Sequence, residues 1–466
     1  MPESIYSPRL RTAVVLCGAG TAGVYQSGVL RALTEAGVKI DLLAAHGGGT
    51  VAALCGAIDG GARLWDPAGP WRSPTLRRSY RWRPALRTAA IGLSIAGVLL
   101  VSPLAILAFA ALVYAVGLVA ALVNLPNISA WLVDLYRQSL AFLFHPPILP
   151  TALPRGVVLA GLVVLGVMVA AAIKAARHDR TRRRWRGAFW WHLIGSPIQA
   201  EEPEATLVGA LWALVRGAST EPQPASAEIS RRYVDILGEN FGQPGFRELL
   251  IAVHDLDARR DLVGGVLPPD VRALFTARRR GPGPREAEVV DFAGSSRELV
   301  VDFLKGSLCL PGATAPHVCQ FSADSYWAGE AHRFCDRPEL GARLIDEISV
   351  AGIEQVLLVS PAAPAAIPHG IRRRPVDLRA RVGDLVRSIE TSALEDAWSA
   401  ASTRFSGVFV IRPDHNAIGP FDFVGAYDEG SDRTRTVAEL LDQGYHDAYR
   451  QFIEPVVAAG ERVQAI

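Results

Sequence analysis

Two short runs determine the architecture of this chain: TAVVLCGAGTAG at residues 12–23 and IDLLAAHGGGT at residues 40–50. In each run, apolar strand-forming residues pass through a glycine-rich turn into a helix-forming segment, and the first helix is expected to stop at Gly37. Glycines at such a junction allow backbone N–H groups to approach an anion at the helix N-terminus. The two runs therefore predict the strand–turn–helix units of an α/β protein.

The two turns favour different chemistries. The turn at 46–49 has the shape of a nucleophile elbow, in which one side chain is lifted clear of the sheet and aimed at the helix N-terminus. The first turn also matches the dinucleotide fingerprint at Gly18, Gly20 and Gly23. The next strand, however, ends in Ala45 and His46 rather than in the acid that would bind a ribose. Dinucleotide binding through these glycines is kept as an alternative.

Together these segments resemble the patatin-like phospholipase family, whose members hydrolyse acyl esters with a serine–aspartate dyad. Residues 15–33 look like the family's oxyanion glycine loop and first helix, and residues 41–54 are similar to its G-x-S-x-G elbow. Weaker similarities lie at 246–256, 310–312, 326–330, 355–360 and 437–452. The resemblance covers about 1–60 and 190–460, and it implies a three-layer sandwich around a central, mostly parallel sheet.

The resemblance also implies the residues of the site. Its oxyanion loop consists of Gly18, Ala19, Gly20, Thr21, Ala22 and Gly23. The nucleophile position falls on Gly47 and the acid position on Ala328, with Asp324 and Asp336 lying off the matching position. Because glycine has no side chain and alanine accepts no proton, neither half of the dyad is present in this register. Thr50, Ser27 and His46 are the candidate stand-ins.

A long uncharged segment points to a membrane. No charged residue occurs from Thr88 to Val133, and a second uncharged run extends from Gly156 to Ile173. The first run is either one long span kinked at Pro103 or two short helices that fold back there. Either run is close to or above the ~20 apolar residues that a spanning helix requires. We expect spans at about 89–122 and 155–176, with an interfacial helix between them.

Basic clusters flank the two runs, at Arg77–Arg87 and Lys174–Arg186. The positive-inside rule places both clusters on the cytoplasmic side, where they would meet anionic lipid headgroups. The expected location is a bacterial inner membrane, with the α/β domain and both termini in the cytoplasm. The domain organisation predicted from these boundaries is 1–76 and 187–466 for the α/β domain, interrupted by a transmembrane hairpin at 77–186.

The amino-acid composition excludes several classes of protein and ligand. The 466 residues carry a formal charge of only +2, so the chain is not expected to bind nucleic acid. Its mean hydropathy of +0.21 is high for a soluble protein. Five cysteines without C-x-x-C spacing favour reduced thiols over disulfides or a zinc site, and neither a metal nor a cofactor is expected. The oligomeric state is left open.

These observations predict a membrane-anchored, patatin-like protein that acts on or binds membrane lipids, with a catalytic apparatus impaired at Gly47 and Ala328. Two alternatives stay open. One is an active acyl-ester hydrolase that uses a displaced nucleophile, and the other is a membrane protein that binds a dinucleotide.

Overall fold

The structure is a computed structural model that describes residues 6–67, 69–123, 125–178, 195–277, 284–365, 378–415, 418–428 and 431–457. Contacts divide the chain into two compact units. The first consists of Met1–Arg81 and Ile198–Ile466, and the second of Trp82–Pro197. The sequence analysis placed the insertion at 77–186. The second unit of the structure begins five residues later and ends eleven residues later than that range.

The first unit is built on one large β-sheet. In the described part of the chain, nine strands pair in the order β5-β4-β3-β2-β1-β8-β9, with β6 and β7 attached at the side through β3. The strands are β1 Thr12–Leu16, β2 Leu42–Ala45, β3 Glu248–Asp255, β4 Arg260–Val266, β5 Val289–Asp291, β6 His317–Gln320, β7 Ala331–Cys335, β8 Gln355–Val359 and β9 Gly407–Ile411. Two further strands, β10 Ala426–Asp428 and β11 Arg433–Arg435, form a separate antiparallel pair.

The centre of the sheet is parallel. Strand β1 lies between β2 and β8, with Leu16 opposite both Ala45 and Val359. Strands β1, β2 and β8 are buried along their whole length and are apolar apart from the first residues of β1 and β8, as expected for parallel strands covered on both faces. The mixed α/β architecture with a mostly parallel central sheet agrees with the expectation from the sequence. The carboxyl ends of these strands meet at one edge of the sheet, which we call the carboxyl edge.

Helices cover both faces of the sheet. In chain order the helices are α1 Ala22–Glu35, α2 Gly49–Gly56, α3 Ala62–Trp65, α4 Pro84–Leu122, α5 Pro126–Leu143, α6 Leu153–His178, α7 Glu201–Arg216, α8 Ser226–Glu239, α9 Pro269–Ala277, α10 Val300–Ser307, α11 Leu340–Ile348, α12 Leu378–Ser402 and α13 Val437–Ala448. The core on one face contains Val14 and Leu16 with α1, α2 and α13. The core on the other contains Ala13, Val15 and Cys17 with α11 and α12. This division follows the period-two alternation of side chains along a strand.

Strand β7 brings a distant segment to the carboxyl edge. Strand β2 pairs with β3 only as far as Ala45 opposite Ile251. Three residues further along β3, the antiparallel β7 pairs with it, with Cys335 opposite His254. Since β4 occupies the other side of β3 over this stretch, β7 lies on the side of β2. The chain that leaves β7 therefore arrives where β2 turns into α2.

The second unit contains the apolar helices. Helix Pro84–Leu122 and helical segment Ile148–Ile173 are long and apolar enough to cross a membrane, and only 6% and 0% of their most apolar windows are buried. Helix α4 continues through Pro103 as one helix, which selects the single long span over two helices folded back. At 39 residues and about 1.5 Å per residue it is longer than the ~30 Å hydrocarbon layer. Between the two lies α5, where an interfacial helix was expected.

The arginines of the first basic cluster are exposed at positions 77, 78, 81 and 87. The second cluster, Lys174–Arg186, lies outside the residues whose side chains the structure describes. Its proposed contact with headgroups therefore stays a prediction.

Candidate functional site

The glycine loop and the elbow turn pack directly against each other at the carboxyl edge. The Gly48 N–H donates to Gly18 O at 2.8 Å, and the Cys17 N–H donates to Val359 O at 2.9 Å. Glycine is required for this approach, because a Cβ on Gly48 would overlap the carbonyl group of Gly20. The two turns predicted from the sequence are thus one continuous backbone surface.

Gly47 lies in the elbow turn with φ +61°, in the left-handed region that favours glycine. A Cβ built at Gly47 would overlap the carbonyl oxygen of Gly18 and would lie 2.7 Å from Oδ2 of Asp336. The space that a nucleophilic side chain would need is therefore filled by the glycine loop. Neither the residue nor its surroundings provide a nucleophile at this position.

The carboxylate that faces the elbow belongs to Asp336, which follows β7. Ala328, to which the resemblance assigned the acid, lies exposed in the turn between β6 and β7 with φ +43°. The structure therefore places Asp336, and not Ala328, beside the elbow turn, and the equivalence of Ala328 to the family's acid stays a prediction. Asp336 is fully buried, and its N–H donates to Cys309 O at 2.6 Å.

Asp336 forms a buried pair with His46, the first residue of the elbow turn. Nδ1 of His46 lies 2.9 Å from Oδ1 of Asp336, and both side chains are 1% exposed. The second polar atom of each group, Nε2 of His46 and Oδ2 of Asp336, has no hydrogen-bond partner. Buried polar atoms are usually satisfied, so two unpaired atoms in one contact require an explanation. His46 was expected to be a stand-in, and the structure gives it a carboxylate partner.

Burial by itself would lower the pKa of His46, but the adjacent Asp336 carboxylate and the Cys17 thiol outweigh it, and the pKa lies well above its usual value. A raised folded-state pKa adds stability that is complete below the unfolded-state value of about 6.5 and is lost as the pH rises through the folded-state value. The loss in unfolding free energy caused by His46→Gln should therefore shrink from pH 6 toward alkaline pH. Denaturant titrations of both proteins in detergent across this range measure it, and a pH-independent difference would contradict the pairing.

Cys17, which the sequence analysis counted only as a reduced thiol, is the neighbour of His46 across the sheet. The pairing of Leu16 with Ala45, extended by one residue, puts Cys17 beside His46 on the face covered by α11 and α12. A point at the Cβ position of Gly341 lies 3.1 Å from Sγ of Cys17 and 4.0 Å from Nε2 of His46. Both residues line one small cavity, which has no room for a water molecule.

The glycine loop already holds an anion, and that anion comes from the chain itself. The Ala19 N–H donates to Oε1 of Glu390 on α12 at 2.7 Å. Glu390 also pairs with Arg387 at 2.7 Å, and Arg387 Nη2 lies 3.3 Å from Thr21 Oγ1. A carboxylate of α12 therefore occupies one backbone N–H of the glycine loop.

The other two stand-ins, Ser27 and Thr50, are buried in the core. Ser27 donates its hydroxyl to Gly23 O at 2.6 Å and accepts from Trp71 at 2.8 Å, so both functions of the hydroxyl are used inside the core. Thr50 is fully buried in α2 with an unpartnered hydroxyl. Among the described residues, no three His, Cys, Asp or Glu side chains are grouped as metal ligands.

Dinucleotide binding is not favoured by the arrangement. The acid of the second strand–turn–helix segment is Asp41. It accepts a hydrogen bond from the Thr12 N–H at 2.8 Å, at the amino end of β1 and therefore at the opposite end of the strand from the glycine loop. The loop itself is covered by its own chain, since the Thr21 N–H donates to Pro420 O at 3.0 Å. A ribose and a pyrophosphate would find neither the acid nor the open loop that this mode of binding uses.

No protein-family profile and no curated protein matches this chain. The crystal structure of VipD from Legionella pneumophila is similar to it with a TM-score of 0.29 and 10% identity, over 96% of this chain and 67% of VipD. A TM-score at this level does not establish a common fold. The patatin-like reading therefore rests on the residues of the two glycine turns and on the sheet that places them together.

Proposed function

We propose that this protein acts on or binds membrane lipids from a patatin-like α/β domain anchored by two membrane-spanning helices, without the serine chemistry of an elbow nucleophile. The observation that carries the lipid assignment is the exposure of the apolar helices Pro84–Leu122 and Ile148–Ile173. Exposed apolar surface on this scale is stable in hydrocarbon and not in water. The α/β domain of such a chain works beside a bilayer.

The anchor is proposed to be a hairpin with both ends on the cytoplasmic side. Exposed arginines at 77, 78, 81 and 87 precede the first span and support contact with anionic headgroups. The basic residues at 174–186 support the return of the chain to the same side.

Impairment of the serine mechanism is supported at two points. Gly47 offers neither a nucleophile nor space for one. The Ala19 N–H, which an oxyanion would need, is bound to Glu390. An acyl hydrolase that depends on an elbow serine requires both elements.

Membrane insertion is tested by alkaline carbonate extraction of the full chain from vesicles. We expect the wild-type protein and a Leu104→Ala/Val163→Ala control to remain in the vesicle pellet. Leu104→Arg/Val163→Arg should be extracted, because each charge near the centre of a span costs about 2.5–3.5 kcal/mol on insertion. Extraction of the wild-type protein would contradict the anchor.

Lipid binding by the α/β domain is tested separately in nanodiscs that contain a photoactivatable, clickable phosphatidylcholine. We expect adducts on peptides of residues 6–67 and 284–365 as well as on the spans. A fluorophosphonate probe should label no serine in the same sample. Adducts confined to the spans would leave an anchor without a lipid-binding domain, and labelling of a serine would overturn the loss of serine chemistry.

A further inference from the structure

We propose that Cys17, His46 and Asp336 form a thiol-based acyl-transfer site, one strand away from the empty elbow, that takes acyl esters of lipids as substrates. The lipid part of this proposal rests on the proposed function. The thiol chemistry rests on the three side chains alone. In this proposal Cys17 is the displaced nucleophile, in place of Thr50 or Ser27.

The three residues come together because three strands end at one place. Cys17 follows β1, His46 follows β2, and Asp336 follows β7. Cys17 and His46 are neighbours across a parallel pair, where adjacent strands lie about 4.8 Å apart. The alternation of side chains directs both to the face covered by α11 and α12. This placement follows from backbone pairing and not from a flexible loop.

The orientation of the imidazole is the one that a general base needs. Asp336 holds Nδ1 of His46 at 2.9 Å, which leaves Nε2 as the free ring nitrogen. Nε2 is buried, has no partner, and approaches the same point beside Gly341 as Sγ of Cys17. A nucleophile, a base and a carboxylate that orients the base are the three parts of a nucleophilic triad.

The reaction balances with water as the only co-reactant. The neutral form of His46 accepts the thiol proton of Cys17, and the thiolate sulfur attacks the acyl carbonyl carbon. The carbon–oxygen bond to the alcohol breaks, and the imidazolium donates its proton to the departing oxygen. The product is an alcohol and an acyl thioester on Cys17. Water, deprotonated by His46, then attacks the thioester and releases the carboxylic acid and the free thiol.

The cavity also contains an anion position. Glu390 lines it together with Cys17 and His46, and its carboxylate accepts the Ala19 N–H. That N–H is available to the oxyanion of a tetrahedral intermediate only after Glu390 has moved away from it. Since the cavity holds no water as it stands, a substrate enters only when the covering side chains of α12 move aside.

Two other cysteines, Cys55 and Cys309, lack this setting. Burial raises the pKa of Cys55 to about 12. Burial also raises the pKa of Cys309, whose thiol donates to the Lys305 carbonyl oxygen at 3.2 Å. A thiolate is the reactive form, so buried thiols without an imidazole are inert. Cys55 is accordingly a matched control for Cys17.

The test uses the full chain in nanodiscs with a fluorogenic decanoyl ester, followed by an acid quench and intact-mass measurement. We expect a decanoyl adduct that neutral hydroxylamine removes and that maps to Cys17. Cys17→Ala should abolish the adduct, Cys55→Ala should leave it within about twofold, and His46→Gln should slow its formation by about 10²- to 10⁴-fold. An adduct that survives Cys17→Ala, or the lack of any adduct on the wild-type protein, would overturn the proposal.

Two further measurements distinguish a failure of the thiol site from a failure of the proposed lipid function. At one fixed pH, iodoacetamide should alkylate Cys17 faster in the wild-type protein than in His46→Gln, and equal rates would remove His46 as the base. The photoactivatable phosphatidylcholine should still label Cys17→Ser. Lipid labelling without a decanoyl adduct would refute the thiol site and leave the proposed function, whereas an adduct without lipid labelling would refute the lipid substrate and leave the thiol chemistry.

Discussion

Replacing Glu390 by alanine is expected to lower the free energy of unfolding by about 3–5 kcal/mol, the usual cost of leaving a buried charge without its partner. Glu390 and Arg387 are 3% and 6% exposed and lie 2.7 Å apart. The substitution leaves the Arg387 guanidinium unpaired in the core and also removes the acceptor of the Ala19 N–H. Urea titration of the full chain in detergent measures the change.

An exposed pair of the same kind provides the control. Glu228 and Arg232 lie one helical turn apart on α8 and contact each other at 2.8 Å, but both are more than 40% exposed. Glu228→Ala should change the stability much less than Glu390→Ala, because water screens the exposed pair. Glu390→Gln keeps an acceptor for Ala19 and should fall between the two. Equal effects of the buried and exposed substitutions would show that Glu390 does not hold α12 on the glycine loop.

Gly47→Ser is expected to destabilise the protein by about 3 kcal/mol and to create no serine hydrolase. About 1–2 kcal/mol comes from a side chain in the left-handed region. A further ~1–3 kcal/mol comes from overpacking, because the new Cβ overlaps Gly18 O. Although Asp336 already faces this position, the glycine loop occupies the space that an attacking hydroxyl and its substrate would share.

The matched control is Gly37→Ser, at a glycine with φ +67° and no atom within 4 Å of the added Cβ. It carries the conformational cost without the overlap, so it should cost less than Gly47→Ser. Thermal unfolding in detergent and fluorophosphonate labelling compare the two variants. Labelling of the Gly47→Ser protein at residue 47 would contradict this prediction. It would show that the glycine loop moves to accommodate the side chain and that a single substitution creates a reactive serine at the elbow.

The local elements followed from the sequence because short-range rules govern them. Strand β1 is Thr12–Leu16, as the apolar run predicted, and β8 begins at Gln355, where the resemblance placed a strand. Helix α1 starts at Ala22, so that its first residues belong to the glycine loop itself. The choice between one span and a folded-back pair at Pro103 could not be made from composition, since proline is compatible with both.

The carboxylate that faces the elbow did not follow from motif spacing. Motif spacing led to Ala328, whereas pairing of β7 with the far end of β3 delivers Asp336 to the elbow. The neighbourhood of Cys17 and His46 was within reach of the sequence. Strands 12–16 and 42–45 end in successive strand–turn–helix units, and extending their register by one residue puts the thiol beside the imidazole.

By itself, the sequence determined the two strand–turn–helix units, the long apolar segments and the absence of a side chain at Gly47, because each depends on a few consecutive residues and their periodicity. Only the tertiary structure decided that Asp336 orients His46 and that Glu390, 371 residues from Ala19, accepts the N–H of the glycine loop. Those contacts are set by strand order and by helix packing across the sheet, and neither leaves a local pattern in the chain.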